Sequence, residues 1–248
     1  MQPPLFYAPP ECRDGDTVVL PPEEARHAAR VLRLQRGAIV IVVDGLGNAC
    51  RAELISITAR KMTARVHSEI RDFGEPSVRL TLAAGLSTGS KFDSVVQRGT
   101  ELGVSRMVPL VTEKSKVAVE EPRRVRGKVT RWRNVATAAM KQCRRSCLPE
   151  IATPTAFTDF LEQFEPDDLG IILHPSDGTL PLEKIELARN SRRITLAVGP
   201  ESGFTDDEVA LATQNGFVCV GLGRRILRTE TAGPVAVALV MARLGELR

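Results

Sequence analysis

Two glycine-rich stretches decide the reading of this chain: V-G-P-E-S-G-F-T-D-D-E from Val198 to Glu208, and L-G-R-R-I-L-R-T-E-T-A from Leu222 to Ala232. Each follows a short apolar run, Ile194 to Val198 and Phe217 to Val220, and each leads into a helical pattern. Such stretches sit where an α/β sheet presents the carboxyl ends of its strands, the usual ligand crevice of that architecture. Glycine lets the backbone approach a ligand closely, and a helix start leaves N–H groups without partners. Two such loops on neighbouring strands make a backbone-lined pocket. The plainer alternative is a pair of ordinary strand-to-helix turns, since Gly followed by Thr-Asp-Asp starts many helices.

Working outward, the pattern alternates strands and helices. The spacing predicts strands at Val78–Ala84, Met107–Val111, Gly170–Leu173, Ile194–Val198 and Phe217–Val220. It predicts helices at Phe92–Leu102, Val125–Cys143, Phe157–Phe164, Leu182–Ala188, Asp206–Gln214 and Glu230–Leu244. Strands separated by helices imply parallel pairing with both faces covered. The first strand leads to Gly85-Leu86-Ser87-Thr88-Gly89, which is not the dinucleotide fingerprint. Before residue 72 the chain reads instead as a small β-rich module. Strands are expected at Val18–Leu20, Ile39–Val43, Cys50–Ile57 and Met62–Ile70, with a hairpin signal at Asp44-Gly45. Pro21-Pro22-Glu23-Glu24 opens a helix whose apolar face is Ala25, Ala28, Ala29 and Leu32. Asp72–Ser77 has linker composition, which puts a module at 1–72 and a second domain at 73–248.

A composition 43% hydrophobic and 26% charged is that of a globular chain rather than a disordered one. The apolar stretch Val235–Ala242 is far short of the ~20 residues that span a bilayer. Met1-Gln2-Pro3-Pro4 has no secretory pattern, so a cytoplasmic location is expected. Five scattered cysteines argue against a disulfide framework, and Cys143 with Cys147 lacks a second ligand pair, so no metal site is expected. Charge is uneven. From Lys114 to Cys147 there are eleven basic residues (114, 116, 123, 124, 126, 128, 131, 133, 141, 144 and 145) against Glu120 and Glu121. That segment carries a net +9 in a chain whose formal charge is +4, leaving −5 for the remainder. A patch of one sign fits a polyanion, because phosphate contacts release counterions.

The two opening stretches also resemble the cofactor loops of the SPOUT methyltransferases, and most of all those of the ribosomal RNA small-subunit methyltransferase E family. His27 with Val31-Leu32-Arg33, Gly37 and Asp44-Gly45 resemble that family's N-terminal domain. Lys91, Gln97 and Glu101-Leu102-Gly103 resemble its next segment, Gln142, Arg145, Pro149 and Ile151 its middle, and Leu173-His174-Pro175 a third cofactor loop. Three positions depart from the pattern: Ser202 for Gly, Arg224 for Pro, and Lys141 for Glu. The resemblance implies an α/β fold with a SPOUT-type parallel sheet and a C-terminal trefoil knot, preceded by a PUA-like β-barrel RNA-binding domain.

It further implies methylation of N3 of one uridine in 16S rRNA, using S-adenosyl-L-methionine. Leu173, His174, Gly199, Pro200, Glu201, Gly203, Leu222, Gly223, Ile226, Leu227 and Thr229 would hold the cofactor, largely through backbone. Uridine N3 carries a proton that must leave, and charge develops on the uracil oxygens. Glu230 and Arg228 offer a carboxylate and a cation for those two tasks, though a helix-start carboxylate and a phosphate clamp remain alternative readings. Arg131, Arg133, Gln142, Arg144 and Arg145 are expected to face RNA, with Gln142 and Arg145 equally able to cap the long helix. His27 reads as a packing residue. The family implies a homodimer, for which Val235, Ala236, Leu239, Val240 and Arg243 supply a stripe on the last helix, with intramolecular core as the other reading of that stripe, and a substrate in the assembled small subunit. Two other readings stay open: a SPOUT enzyme acting on another rRNA or tRNA position or a 2′-hydroxyl, and an RNA-binding protein with an inactive pocket.

Overall fold

The computed structural model describes residues 2–58, 60–87, 89–115, 121–165, 169–175, 179–187 and 193–247. Met1, Thr88, Lys116, Glu120 and Ala188, named above, lie outside them. The chain divides into two compact units, Met1–Glu75 with Thr137–Leu148, and Pro76–Ala136 with Pro149–Arg248. Residues 137–148, which the sequence reading assigned to the second domain, therefore pack with the first unit.

The first unit is a six-stranded sheet in the order β1 (Leu5–Tyr7), β4 (Ile39–Val43), β5 (Asn48–Ile57), β6 (Met62–Arg71), β3 (Thr17–Leu20) and β2 (Arg13–Asp14). Its β1 and β4 run parallel and the other pairs antiparallel. The Asp44 carboxylate sets the β4–β5 turn by accepting the N–H groups of Leu46 (2.7 Å) and Asn48 (3.1 Å). Phe6, Leu20, Val40, Val42, Leu54 and Met62 fill the core together with Ala25 and Ala28. Those two alanines come from α1 (Pro22–Arg26) and the π-helical turn His27–Val31 that continues it. The wider turn, closed by the Leu32 N–H donating to the His27 carbonyl at 3.1 Å, breaks the 3.6-residue register. Leu32, expected on the apolar face, is consequently 40% exposed. His27 is exposed and meets the edge of Phe6, with ring centroids 6.4 Å apart.

The second unit is built on a parallel sheet: β10 (Thr155–Ala156), β8 (Arg106–Val111), β7 (Arg79–Gly85), β13 (Arg193–Val198), β11 (Leu169–Leu173), β14 (Phe217–Gly221) and β12 (Leu180–Pro181), with β9 (Glu150–Ile151) also on β8. All of these pairings are parallel. Near-continuous apolar strands such as Leu82-Ala83-Ala84 and Leu196-Ala197-Val198 are buried, as a sheet covered on both faces requires. The helices α2 (Lys91–Glu101) and α6 (Thr229–Arg243) pack together, and α6 lies on β7 and β13. Phe157 and Phe160 of α4 (Phe157–Glu162) cluster with Phe204, Phe217 and Ala212 of α5 (Asp206–Gln214). The register pairs Leu173 with Val198 on one side and with Val220 on the other, so the carboxyl ends of β13, β11 and β14 are neighbours.

One expectation is corrected here. Leu182–Lys184 is a single 3-10 turn and Ile185 is extended, so no helix runs from Leu182 to Ala188 over the described residues. The Arg243 guanidinium reaches this segment and donates to the carbonyls of Leu182 (2.7 Å) and Ile185 (2.5 Å), which satisfies backbone that a helix would have paired internally. Within the stripe expected for self-association, Ala236 and Val240 are buried in the unit's own core and Leu239 is exposed. Among the described residues no helix is long and apolar enough to cross a membrane.

The long helix α3 (Pro122–Cys143) ends at Arg144, whose φ of 66° breaks the helical path. Beyond it Arg145 is 3% exposed, and its Nε and Nη2 donate to Glu75 Oε2 at 3.1 and 2.7 Å. Glu75 Oε1 accepts the N–H groups of Ser146 (2.9 Å) and Cys147 (2.7 Å). One linker carboxylate thus holds the helix end through four bonds. Burial, with Glu75 as the next cause, pushes the Cys147 thiol up to about 11. Glu75→Ala would leave a buried guanidinium without its carboxylate, which lowers unfolding free energy by about 3–5 kcal/mol. Chemical denaturation measures this, and a loss below about 1 kcal/mol, the scale of an exposed ion pair, would contradict it.

Candidate functional site

Three loops leave the neighbouring ends of β11, β13 and β14. The Leu173 strand end is fixed by the His174 N–H, which donates to the Val220 carbonyl at 3.0 Å. After β13 the chain doubles back: a Cβ on Gly199 would meet the Gly203 carbonyl carbon and the Phe204 nitrogen at 2.9 Å. The Gly203 N–H closes this turn on the Pro200 carbonyl at 2.9 Å. Thr205 then caps α5 in a capping box with Glu208, as the Thr-Asp-Asp pattern suggested. The third loop runs from Leu222 to Arg228 into α6, where the Thr229 hydroxyl donates to the Gly199 carbonyl at 2.9 Å. That bond joins the two glycine-rich stretches.

Together they enclose a cavity of about 330 Å³, within the size range of small-molecule sites. All eleven residues expected to hold a cofactor line it: Leu173, His174, Gly199, Pro200, Glu201, Gly203, Leu222, Gly223, Ile226, Leu227 and Thr229. The walls are apolar at Val198, Phe204, Val220 and Ala232, with backbone supplied by the glycine loops. Apolar walls with backbone polar groups suit a planar base and its sugar. The residues present therefore fit the adenosine part of the cofactor that the sequence implied.

Arg228 and Glu230 are not among the lining residues. Arg228 precedes α6 with its side chain 80% exposed, and Glu230 sits in the first turn at 17%, with Nη1 and Oε1 4.0 Å apart. Glu230 Oε2 is buried without a hydrogen-bond partner. Pro234 has no N–H to give the Glu230 carbonyl four residues back, and the Arg98 guanidinium of α2 donates to that carbonyl instead, at 2.8 Å. His174 Nε2 stands 3.9 Å from an Asp206 oxygen, and its Nδ1 is buried without a partner.

The residues expected to face RNA separate. Arg131, Arg133 and Gln142 are exposed on α3, and Arg131 pairs with Asp93. Arg144 is half-buried, donates to the Pro3 carbonyl at 3.0 Å and lies over the Phe73 ring. Arg145 is a correction: its guanidinium is buried and spent on Glu75, so it presents no cation to solvent. Lys141 is likewise paired with the buried Glu24. Cys143 donates weakly to the Met140 carbonyl, and no group of three metal-ligating side chains occurs among the described residues.

Sequence reasoning missed Lys114 on the cavity wall and Gly85 behind it, while Arg225 lies within the expected second glycine loop. Lys114 was hidden in a long basic segment; its place just after β8, at the same sheet edge, was the available signal. A Cβ on Gly85 would meet the Pro200 nitrogen at 2.2 Å, so β7 has no room for a side chain beneath the first glycine loop. Gly85→Ala is expected to displace that loop and cost about 1–3 kcal/mol, as overpacking does. An unchanged thermal midpoint would contradict so close a contact.

Comparison with known proteins gives the same picture. An RNA methyltransferase domain model matches residues 74–241, and an RNA methyltransferase PUA domain model matches residues 20–66. The ribosomal RNA small subunit methyltransferase E of Synechocystis is 35% identical, covering 97% of this chain and 77% of that protein. The Bacillus subtilis protein of that name is 27% identical over 96% of this chain and 94% of its own length. A crystal structure of ribosomal RNA small subunit methyltransferase E from Neisseria gonorrhoeae, bound to S-adenosyl methionine, superposes with a TM-score of 0.87 at 30% identity and covers 98% of both chains. By fold, by site and by these matches, the chain belongs to the RNA methyltransferases of the ribosomal RNA small subunit methyltransferase E family.

Proposed function

We propose that this protein transfers a methyl group from S-adenosyl-L-methionine to N3 of one uridine in 16S rRNA. The observation that carries the reading is the single cavity formed by all three expected loops, in a chain resembling a relative crystallised with that cofactor. When bound, the cofactor supplies an electrophilic methyl group. The protein's part is to hold the reacting partners in line and to move one proton. In this reading the backbone of Gly199–Gly203 and Leu222–Leu227 holds the cofactor. Glu230 takes the N3 proton, its unpartnered Oε2 being a free acceptor beside the second glycine loop. Arg228, exposed and next to it, meets the charge that grows on a uracil oxygen.

The substrate grip is assigned to the first half of α3. Arg123, Arg124, Arg126, Arg131 and Arg133 are exposed there, while Val129, Trp132 and Ala136 turn inward and Trp132 packs on Phe92. Residues 1–72, whose 20–66 part matches a PUA model, hold ten basic against nine acidic residues, so this module contributes shape more than charge. A homodimer, a C-terminal trefoil knot, a cytoplasmic location and a substrate within the assembled small subunit complete the proposal. Leu239 and Ile226 are exposed apolar side chains available to a second copy.

Mass spectrometry of rRNA nucleosides from cells lacking this chain tests the position. Loss of one N3-methyluridine from 16S rRNA is expected; loss of a 2′-O-methyl group, or of nothing, would contradict it. For the grip, reversing Arg126, Arg131 and Arg133 to Glu should flatten the slope of log affinity against log salt by roughly 2–3 units. Cofactor affinity should stay unchanged. An unaltered slope would make the helix only a solvated face.

A further inference from the structure

The loop that follows β8 is bound to the first glycine loop from several directions. The Glu113 N–H donates to Glu208 Oε1 at 2.9 Å, and the Thr205 hydroxyl donates to Glu113 Oε2 at 3.3 Å. The Ser202 hydroxyl donates to the Lys114 carbonyl at 3.0 Å. Glu208 is buried and its other oxygen accepts the Thr205 N–H at 2.9 Å, so one carboxylate ties both loops. Ser202 is one of the three departures from the family pattern, and a glycine there would have no hydroxyl to give. The result is that Lys114 is fixed against the cavity.

Its ammonium donates to the Phe204 carbonyl at 3.2 Å, a neutral acceptor. Among the described residues no carboxylate pairs with it. Of the other cavity-lining carboxylates on that stretch, Glu201 is paired with Lys91 of α2 and Asp206 stands 3.9 Å from His174. Lys114 thus brings an uncompensated positive charge, with N–H bonds to spare, to the wall of a mainly apolar cavity. A cation so placed selects an anionic group on the ligand.

We propose that Lys114 holds the carboxylate of the cofactor's amino-acid arm, with Ser202 and Glu208 as the residues that position it. The inference rests on the cofactor reading above. It separates two ligands that share the adenosine part: S-adenosylhomocysteine carries the carboxylate, and 5′-methylthioadenosine lacks the whole arm.

Calorimetry with the full chain tests it. Lys114→Met should weaken S-adenosylhomocysteine about five-fold, the scale of a partly exposed ion pair. The same variant should bind 5′-methylthioadenosine as the parent does, and Lys114→Arg should restore the affinity. Equal losses for both ligands would make Lys114 a structural prop, and no loss for either would leave its charge for another group such as an RNA phosphate; each result overturns the proposal. Failure of the unaltered chain to bind either ligand would overturn the cofactor reading itself.

Discussion

The contact between Gly85 and Pro200 leaves no space for a Cβ, and the second unit's geometry follows from it. Because β7 and β13 are neighbours in register, the chain leaving Val198 must turn sharply over the end of β7. That turn folds Gly199–Phe204 back on itself and leaves its backbone facing a cavity rather than the sheet. The Thr229 hydroxyl then pins the start of α6 to the same turn, so the third loop has little choice of path. Parallel pairing supplies the rest, since it brings three strand ends, and with them three loops, to one edge.

The site is therefore built from main chain and apolar walls, with the charged residues Lys114, Glu201, Asp206 and Arg225 among its lining. This divides the chemistry between them. Backbone groups and apolar walls suit a nucleoside, whereas Lys114 and Arg225 bring cations to the same cavity. The Arg98 bond to the carbonyl freed by Pro234 shows the same economy: a proline that weakens the first turns of α6 is matched by a donor from α2. Removing one hydrogen bond from the helix and replacing it from outside fixes α6 against its neighbour.

Much of this was legible in the sequence because the main strands of the second unit are apolar runs of five to seven residues, three of them ending at or beside a glycine, and each appears within about two positions of its expected place. The two-residue strands β2, β9, β10 and β12 were not, since pairs such as Glu150-Ile151 carry no period. The π turn at His27–Val31 was equally silent: its alanines satisfy a helical pattern whichever way the register slips. Leu182–Ala188 reads as helical by periodicity, yet Arg243, some sixty residues away, determines its backbone pairing. Arg145 illustrates the limit for charge. A composition count cannot distinguish a solvated guanidinium from one buried on Glu75, because the partner lies in a linker seventy residues earlier.

The central claim is that the three loops at this sheet edge act as one cofactor site. Amide hydrogen exchange with and without S-adenosylhomocysteine measures it directly, because ligand protection is read from the backbone that the account says makes the contacts. The account predicts added protection over Leu173–His174, Gly199–Phe204 and Leu222–Leu227 together, with the first unit's β4–β6 unchanged. Protection spread evenly along the chain, or confined to one of the three loops, would contradict it.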